Sequence, residues 1–240
     1  MTFQPNQLGG PADGGGAGTV GAKAGTQVQG AFLTQAFFWM FAGLLLTAAV
    51  AAVVQLNQSM LIWASENFLI LFLAQIALVL VISAGIGRLN ATAALGLFFV
   101  YAASLGITVG LIVSLYTGES VVAAFLSSSA MFGGAALYGY TTKRSLASIG
   151  AFASMAVIGL IVAMVVNIFL SSGPLGFVIS IVGVVLFTVL TAYDVQRIST
   201  GDLVQRTGSV EKAAVIGALN LYLDFINIFL FMLRLMGGRR

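Results

Sequence analysis

The chain has 240 residues, 60% of them apolar and 7% charged, with a net charge of +3 and a mean hydropathy of +1.07, a balance that excludes an ordinary soluble domain. At roughly 20 residues per crossing the apolar content suffices for about seven membrane spans, with little left for an aqueous domain. Cys and His are absent, which excludes disulfides, thiolate nucleophiles, the usual zinc and iron–sulfur sites and a Ser-His-Asp triad. No enzyme activity and no cofactor are expected. The ten basic residues lie scattered in short loops and read as topology determinants, not as a nucleic-acid surface.

In chain order, residues 1–30 hold nine of the 29 glycines and two of the three prolines, no apolar run, and only Asp13 and Lys23 as charges. They read as a disordered, Gly-rich cytoplasmic tail ahead of a single transmembrane domain over 31–240. The tail lacks the basic start, apolar core and small-residue cleavage site of a signal peptide, so the first span is expected to be retained. Spans are predicted at Ala31 to Val54, Asn67 to Gly87, Ala91 to Leu115, Val121 to Tyr140, Leu146 to Leu170, Pro174 to Tyr193 and Ala213 to Leu235. From Phe68 to Ile82 every residue but Gln75 is apolar, which fits a helix and not the alternation of a barrel strand. Pro174, the only proline after the tail, follows Ser171-Ser172-Gly173, where a helix start tolerates a missing N–H. The fold class is all-α, a polytopic bundle of seven helices.

Alternate loops carry the bases: Lys23, Arg88, Lys143 with Arg144, then Arg197, Arg206 and Lys212, whereas the opposite loops carry Glu66 and Glu119. By the positive-inside rule the N-terminus is cytoplasmic. Seven crossings would place Arg239 and Arg240 outside, and a last segment that re-enters without crossing would keep them in. Small residues at four-residue spacing line the third span as Ala102, Gly106, Gly110 and Ser114, and Ala130, Gly134 and Tyr138 partly repeat the pattern in the fourth. Packing within the bundle is the simpler reading of both stripes and a dimer face the alternative, so a monomer is favoured.

Chemistry concentrates on two carboxylates in apolar surroundings, Asp194 near the end of the sixth span and Asp224 about three turns into the last. A charged Asp at mid-bilayer costs about 2.5–3.5 kcal/mol on insertion scales, so it needs a partner or a purpose. A structural pairing with a base, such as Arg88 or Arg197, is the plain alternative. Asn220, Asp224, Asn227 and Arg234 fall on one stripe of the last helix, which therefore belongs inside the bundle or along a wet path. Gln75 and Asn167, the other mid-span amides, are expected to hydrogen-bond between helices. Two neighbouring buried carboxyls would share a proton or hold a cation near neutral pH. With nearby amides they supply only part of the six to eight oxygens Ca2+ prefers, so any Ca2+ at Asp194 and Asp224 would be weak and transient.

At these residues the sequence resembles the Bax inhibitor-1 family of membrane proteins, bacterial type. The resemblance rests on Leu190-Thr191-Ala192-Tyr193-Asp194-Val195-Gln196-Arg197-Ile198, on the last-helix run from Ala218 through Asp224 to Asn227, and on Tyr138-Gly139-Tyr140-Thr141-Thr142-Lys143-Arg144. It implies six helices surrounding a central seventh, and a pH-sensitive Ca2+ leak across the bacterial cytoplasmic membrane controlled by two aspartates, here Asp194 and Asp224. It also implies a closed-state latch between Asp194 and an Arg at the end of the second helix, for which Arg88 stands in the matching position. Departures are Ser145, where an acid often follows the Lys-Arg pair, and the long loop from Ser199 to Lys212. The expected partners are the lipid bilayer, Ca2+ and H+, with no nucleic acid. The alternative function is a non-conducting regulator that binds a membrane protease or a stress-response partner. An intramembrane aspartyl protease fits poorly, because Leu221-Tyr222-Leu223 precedes the second Asp where that chemistry has a Gly-x-Gly signature.

Overall fold

The computed structural model describes residues 15–238, with side chains from Phe32 onward. Among these residues there are no strands, and the helices run α1 Gly15–Leu56, α2 Gln58–Glu66, α3 Phe68–Gly85, α4 Ala91–Val113, α5 Gly118–Thr141, α6 Ala147–Leu170, α7 Gly173–Ser199, α8 Asp202–Thr207 and α9 Val210–Met236. Seven are long and apolar enough to cross a membrane, all but α2 and α8. α1 begins inside the segment that composition reads as a tail, while residues 1–14, Arg239 and Arg240 lie outside the described residues.

Polar residues in the turns set the helix starts. Asn57, Asn90, Thr117, Ser172 and Ser209 each accept a backbone N–H from three residues on, which satisfies a donor that the first turn leaves free. Pro174 sits in the first turn of α7 as expected. The sixth span is longer than predicted: α7 continues past Tyr193 to Ser199, so Asp194 lies within the helix and not at its end. Arg197, one turn beyond, pairs with Asp194 and lets the helix continue through its polar residues.

The packing is layered. α9 is the most buried span, with 67% of its apolar window covered, and it packs against α1, α4, α5, α7 and α8. α3 packs mainly on α4 and α6 on α7, and both are largely exposed, so these two helices face outward behind an inner set. Four spans thus flank α9 most closely, and α3 and α6 stand behind them as an outer layer. The stripe on α4 is used inside the bundle. A Cβ at Gly106 would stand 2.7 Å from Val50 Cβ and 2.8 Å from the Thr47 carbonyl oxygen, so only glycine lets α4 approach α1 this closely. In α5, by contrast, Ala130, Gly134 and Tyr138 point outward.

The turns fall at two ends. At one end Gln196 Nε2 donates to the Arg144 carbonyl at 2.8 Å, its Oε1 accepts the Leu146 N–H at 2.8 Å, and Lys212 Nζ donates to the Gly87 carbonyl at 3.4 Å. This end gathers Arg88, Lys143, Arg144, Arg197, Arg206 and Lys212. At the other, Thr117 N–H donates to the Gly238 carbonyl at 3.2 Å and Gly238 N–H donates to Ser120 Oγ at 2.9 Å. The 27 residues of α9 rise about 40 Å and run from the basic end to the opposite one. α9 thus runs the length of the bundle without turning back.

Candidate functional site

α7 and α9 are neighbours along much of their length, and they carry the two acids into the bundle. Asp194 is 7% exposed and Asp224 4% exposed. Asn220, one turn before Asp224 on α9, stands beside the Asp194 carboxyl, and Thr191 of α7 stands beside the Asp224 carboxyl. The two acids are close enough to interact electrostatically. Thr191 is fully buried and its hydroxyl donates to its own helix at the Phe187 carbonyl, 2.8 Å away, so it cannot give that proton to Asp224 at the same time. Asp224 Oδ2 is the one buried side-chain oxygen or nitrogen without a hydrogen-bond partner among the described residues.

Asp194 shares a base with Asp202. Arg197 Nη1 lies 3.3 Å from Asp194 Oδ1, and Arg197 Nε lies 3.1 Å from Asp202 Oδ2, which Arg206 Nε also approaches at 3.2 Å. The Arg197 guanidinium rests over the Tyr193 ring, 5.2 Å from its centroid. α8 exists to hold this arrangement: Gly201 at φ 76° turns the chain back after α7, and Asp202 opens the short helix next to Arg197. Beside it, the two bonds of Gln196 fix the α5–α6 turn to α7.

The pairing with Arg88 expected from the resemblance is absent in this structure. Arg88 is exposed, follows the end of α3 and forms no ion pair among the described residues, while Arg197 reaches Asp194 from one turn away on the same helix. Asn227 is half buried, and its Nδ2 donates to the Leu223 carbonyl of its own helix at 2.8 Å, so it does not join the acids. Gln75 behaves as predicted, donating from α3 to the Ser104 carbonyl at 3.0 Å and Thr108 Oγ1 at 2.8 Å on α4. Asn167 differs: its Oδ1 accepts the Ser172 N–H at 3.2 Å and caps the α6–α7 turn.

The chain matches the family model described as "Inhibitor of apoptosis-promoting Bax1" over residues 29–240. It belongs to the Bax inhibitor-1 family. Among its relatives, the inner membrane protein YbhL of Escherichia coli K12 is 42% identical over 224 residues, covering 91% of this chain and 94% of the relative. An uncharacterized protein of Deinococcus radiodurans is 43% identical over 209 residues, 87% and 90% of the two chains. The protein YrjE of Lactococcus lactis is 40% identical over 212 residues, 86% and 90%. The chain is thus a Bax inhibitor-1 family membrane protein, and its seven apolar helices make it a multi-pass one.

Two elements of this family member's core escape a reading of the sequence. Tyr222 and Thr47 meet oxygen to oxygen at 2.6 Å in the interior, and Thr47 Oγ1 also donates toward the carbonyls of Ala102 at 2.9 Å and Gly43 at 3.0 Å. The single Thr47 proton serves those carbonyls, so the Tyr222 phenol is the donor to Thr47. The only signals were a Thr and a Tyr in mid-span. Asp202 was also missed, although its position five residues after Arg197, next to a glycine, was a readable sign that the chain doubles back. Among the described residues no three acidic side chains gather, so the cluster offers a cation two carboxyls and neighbouring amides.

Proposed function

We propose that this protein is a pH-sensitive cation leak of the bacterial inner membrane, with Ca2+ as its principal cargo and the Asp194–Asp224 pair as its gate. The observation that carries the reading is the buried Asp224 oxygen without a partner, next to a second carboxyl, in a bundle whose other buried polar side chains are neutral. Lipid-facing protein has no use for such a pair, and packing alone would be served better by satisfied groups. Protonation of the pair leaves the helices closed on one another. Loss of protons creates negative charge that only water or a cation can compensate, so the α7–α9 contact opens to admit them. Arg197 closes the end near the basic loops by holding Asp194, and Asp202 holds Arg197.

The orientation follows from the charges: the end with Lys143, Arg144 and Arg206 faces the cytoplasm, together with the N-terminus, and the end of α9 faces outward. The inner membrane assignment draws on the name of the Escherichia coli relative. The protein acts as a monomer without a cofactor. The test is Ca2+ flux into liposomes holding purified protein, measured from about pH 6 to 8 for the wild type, Asp194→Asn and Asp224→Asn. Loss of the pH response in both variants supports the gate. Absence of flux in the wild type itself favours instead a regulator that binds a membrane protease or stress-response partner.

A further inference from the structure

At the end of the bundle away from the basic loops, a cavity of about 360 Å3 opens between α6, the start of α7 and the last turn of α9. Its polar wall is Asn167, Ser171, Ser172 and Arg234, and its apolar wall is Met164 and Ile168. Asn167 is 8% exposed as a whole and its Oδ1 is spent on the Ser172 N–H, while its Nδ2, the part that stays accessible, makes no hydrogen bond among the described residues. Arg234 makes no ion pair among them either. Both donors stand side by side next to Gly176: a Cβ there would collide with Arg234 Nη2 and would stand 3.1 Å from Asn167 Nδ2, so only glycine leaves room for the guanidinium beside the amide. Two neighbouring unpaired donors, one of them cationic, on the wall of the same cavity form a donor site for an anion. The apolar wall continues along the outer flank of α6, where Ile168 and Phe169 are 74% and 84% exposed toward the bilayer.

We propose that this cavity binds a phospholipid of the outer-facing leaflet, with its phosphate on Arg234 and Asn167 Nδ2 and one acyl chain along Met164 and Ile168. A lipid fits the charge of the polar wall and the apolar run beside it together, whereas a free anion uses only the first. Of the two serines on that wall, Ser171 donates to the Ile168 carbonyl at 3.4 Å, whereas Ser172 Oγ accepts the Leu175 N–H and keeps its own proton for a phosphate oxygen. The site lies at the other end of the bundle from the Arg197–Asp202 contacts, and the proposal does not depend on ion conduction.

The experiment is native mass spectrometry of the full chain in detergent, titrated with phosphatidylglycerol and, separately, with diacylglycerol of the same acyl chains. Phosphatidylglycerol should be retained about tenfold more tightly, the scale of one charge-assisted contact. Asn167→Asp keeps the oxygen that caps the turn and turns the free donor into an anion, so it should remove that preference, and Arg234→Gln should weaken it about tenfold. Should Asn167→Asp fail to fold, Arg234→Gln at its exposed position gives the same reading. Equal retention of the two lipids, or variants that bind like the wild type, overturns the proposal. Displacement of phosphatidylglycerol by millimolar inorganic phosphate would assign the donors to a free anion and overturn the lipid.

Discussion

The bundle contains two kinds of buried polar contact, one between α3 and α4 and one between α7 and α9, and they differ in what they leave unpaired. Gln75 spends its amide protons on Ser104 and Thr108, so that contact is neutral and closed. Asp224, deeper in the molecule, keeps an oxygen with no partner, and the neighbouring Asp194 needs Arg197 and Asn220 around it. A polar side chain in mid-span is therefore not in itself a sign of function. An ionisable group whose surroundings leave it incomplete is one, because the bilayer exacts a cost for it that packing does not return.

The comparison can be broken most severely at Asp224. Asp224→Asn preserves shape and fold but removes the titrating proton, so the pH dependence of Ca2+ flux should disappear almost wholly while thermal stability in detergent holds. A variant that conducts and titrates like the wild type would reduce the α7–α9 contact to the same kind as Gln75. The next effect belongs to the bases. Arg197→Gln should raise basal leak at neutral pH several-fold, because it removes a partner of a buried carboxylate that is itself partly exposed to solvent, worth about 1–2 kcal/mol. Arg88→Gln should leak like the wild type, and the reverse ranking would restore the latch between helices that the resemblance implies.

Smaller effects come from the closed contacts. Gln75→Leu leaves the Thr108 hydroxyl and the Ser104 carbonyl short of a partner and should cost about 0.6–1.7 kcal/mol in stability with flux unchanged, read from unfolding in mixed micelles. Tyr222→Phe removes one donor from Thr47, which keeps its carbonyl acceptors, and should cost about 0.6 kcal/mol or less on the same assay.

The spans were legible because twenty-residue apolar runs are unambiguous, and the start of α7 because Pro174 follows Ser171-Ser172-Gly173. Both acids were legible too, since a carboxyl among leucines stands out without any knowledge of its neighbours. Which base meets Asp194 was harder. Arg197 lies one turn away, a local contact that spacing permits, whereas Arg88 rested on a likeness between chains and on its place at the same end of the bundle, which does not fix how near it comes to Asp194. The hidden amide of Asn167 and the Thr47–Tyr222 contact depend on how helices rotate against one another, and spans that are apolar on nearly every face carry little of that information.

The position of α9 bears on how the molecule is made. It is the last of the seven described spans to leave the ribosome, yet it forms the interior. Until it arrives, the chain must park six helices in the membrane with the faces of Phe98, Tyr101, Phe132 and Phe187 turned toward lipid or toward one another, and with Asp194 lacking Asn220. α9 in turn brings Asp224 into the bilayer, and it finds a protein surface to receive that acid only if the earlier helices already stand around the vacant axis. Assembly of this bundle thus ends at its centre, with the arrival of Asp224 beside Asp194.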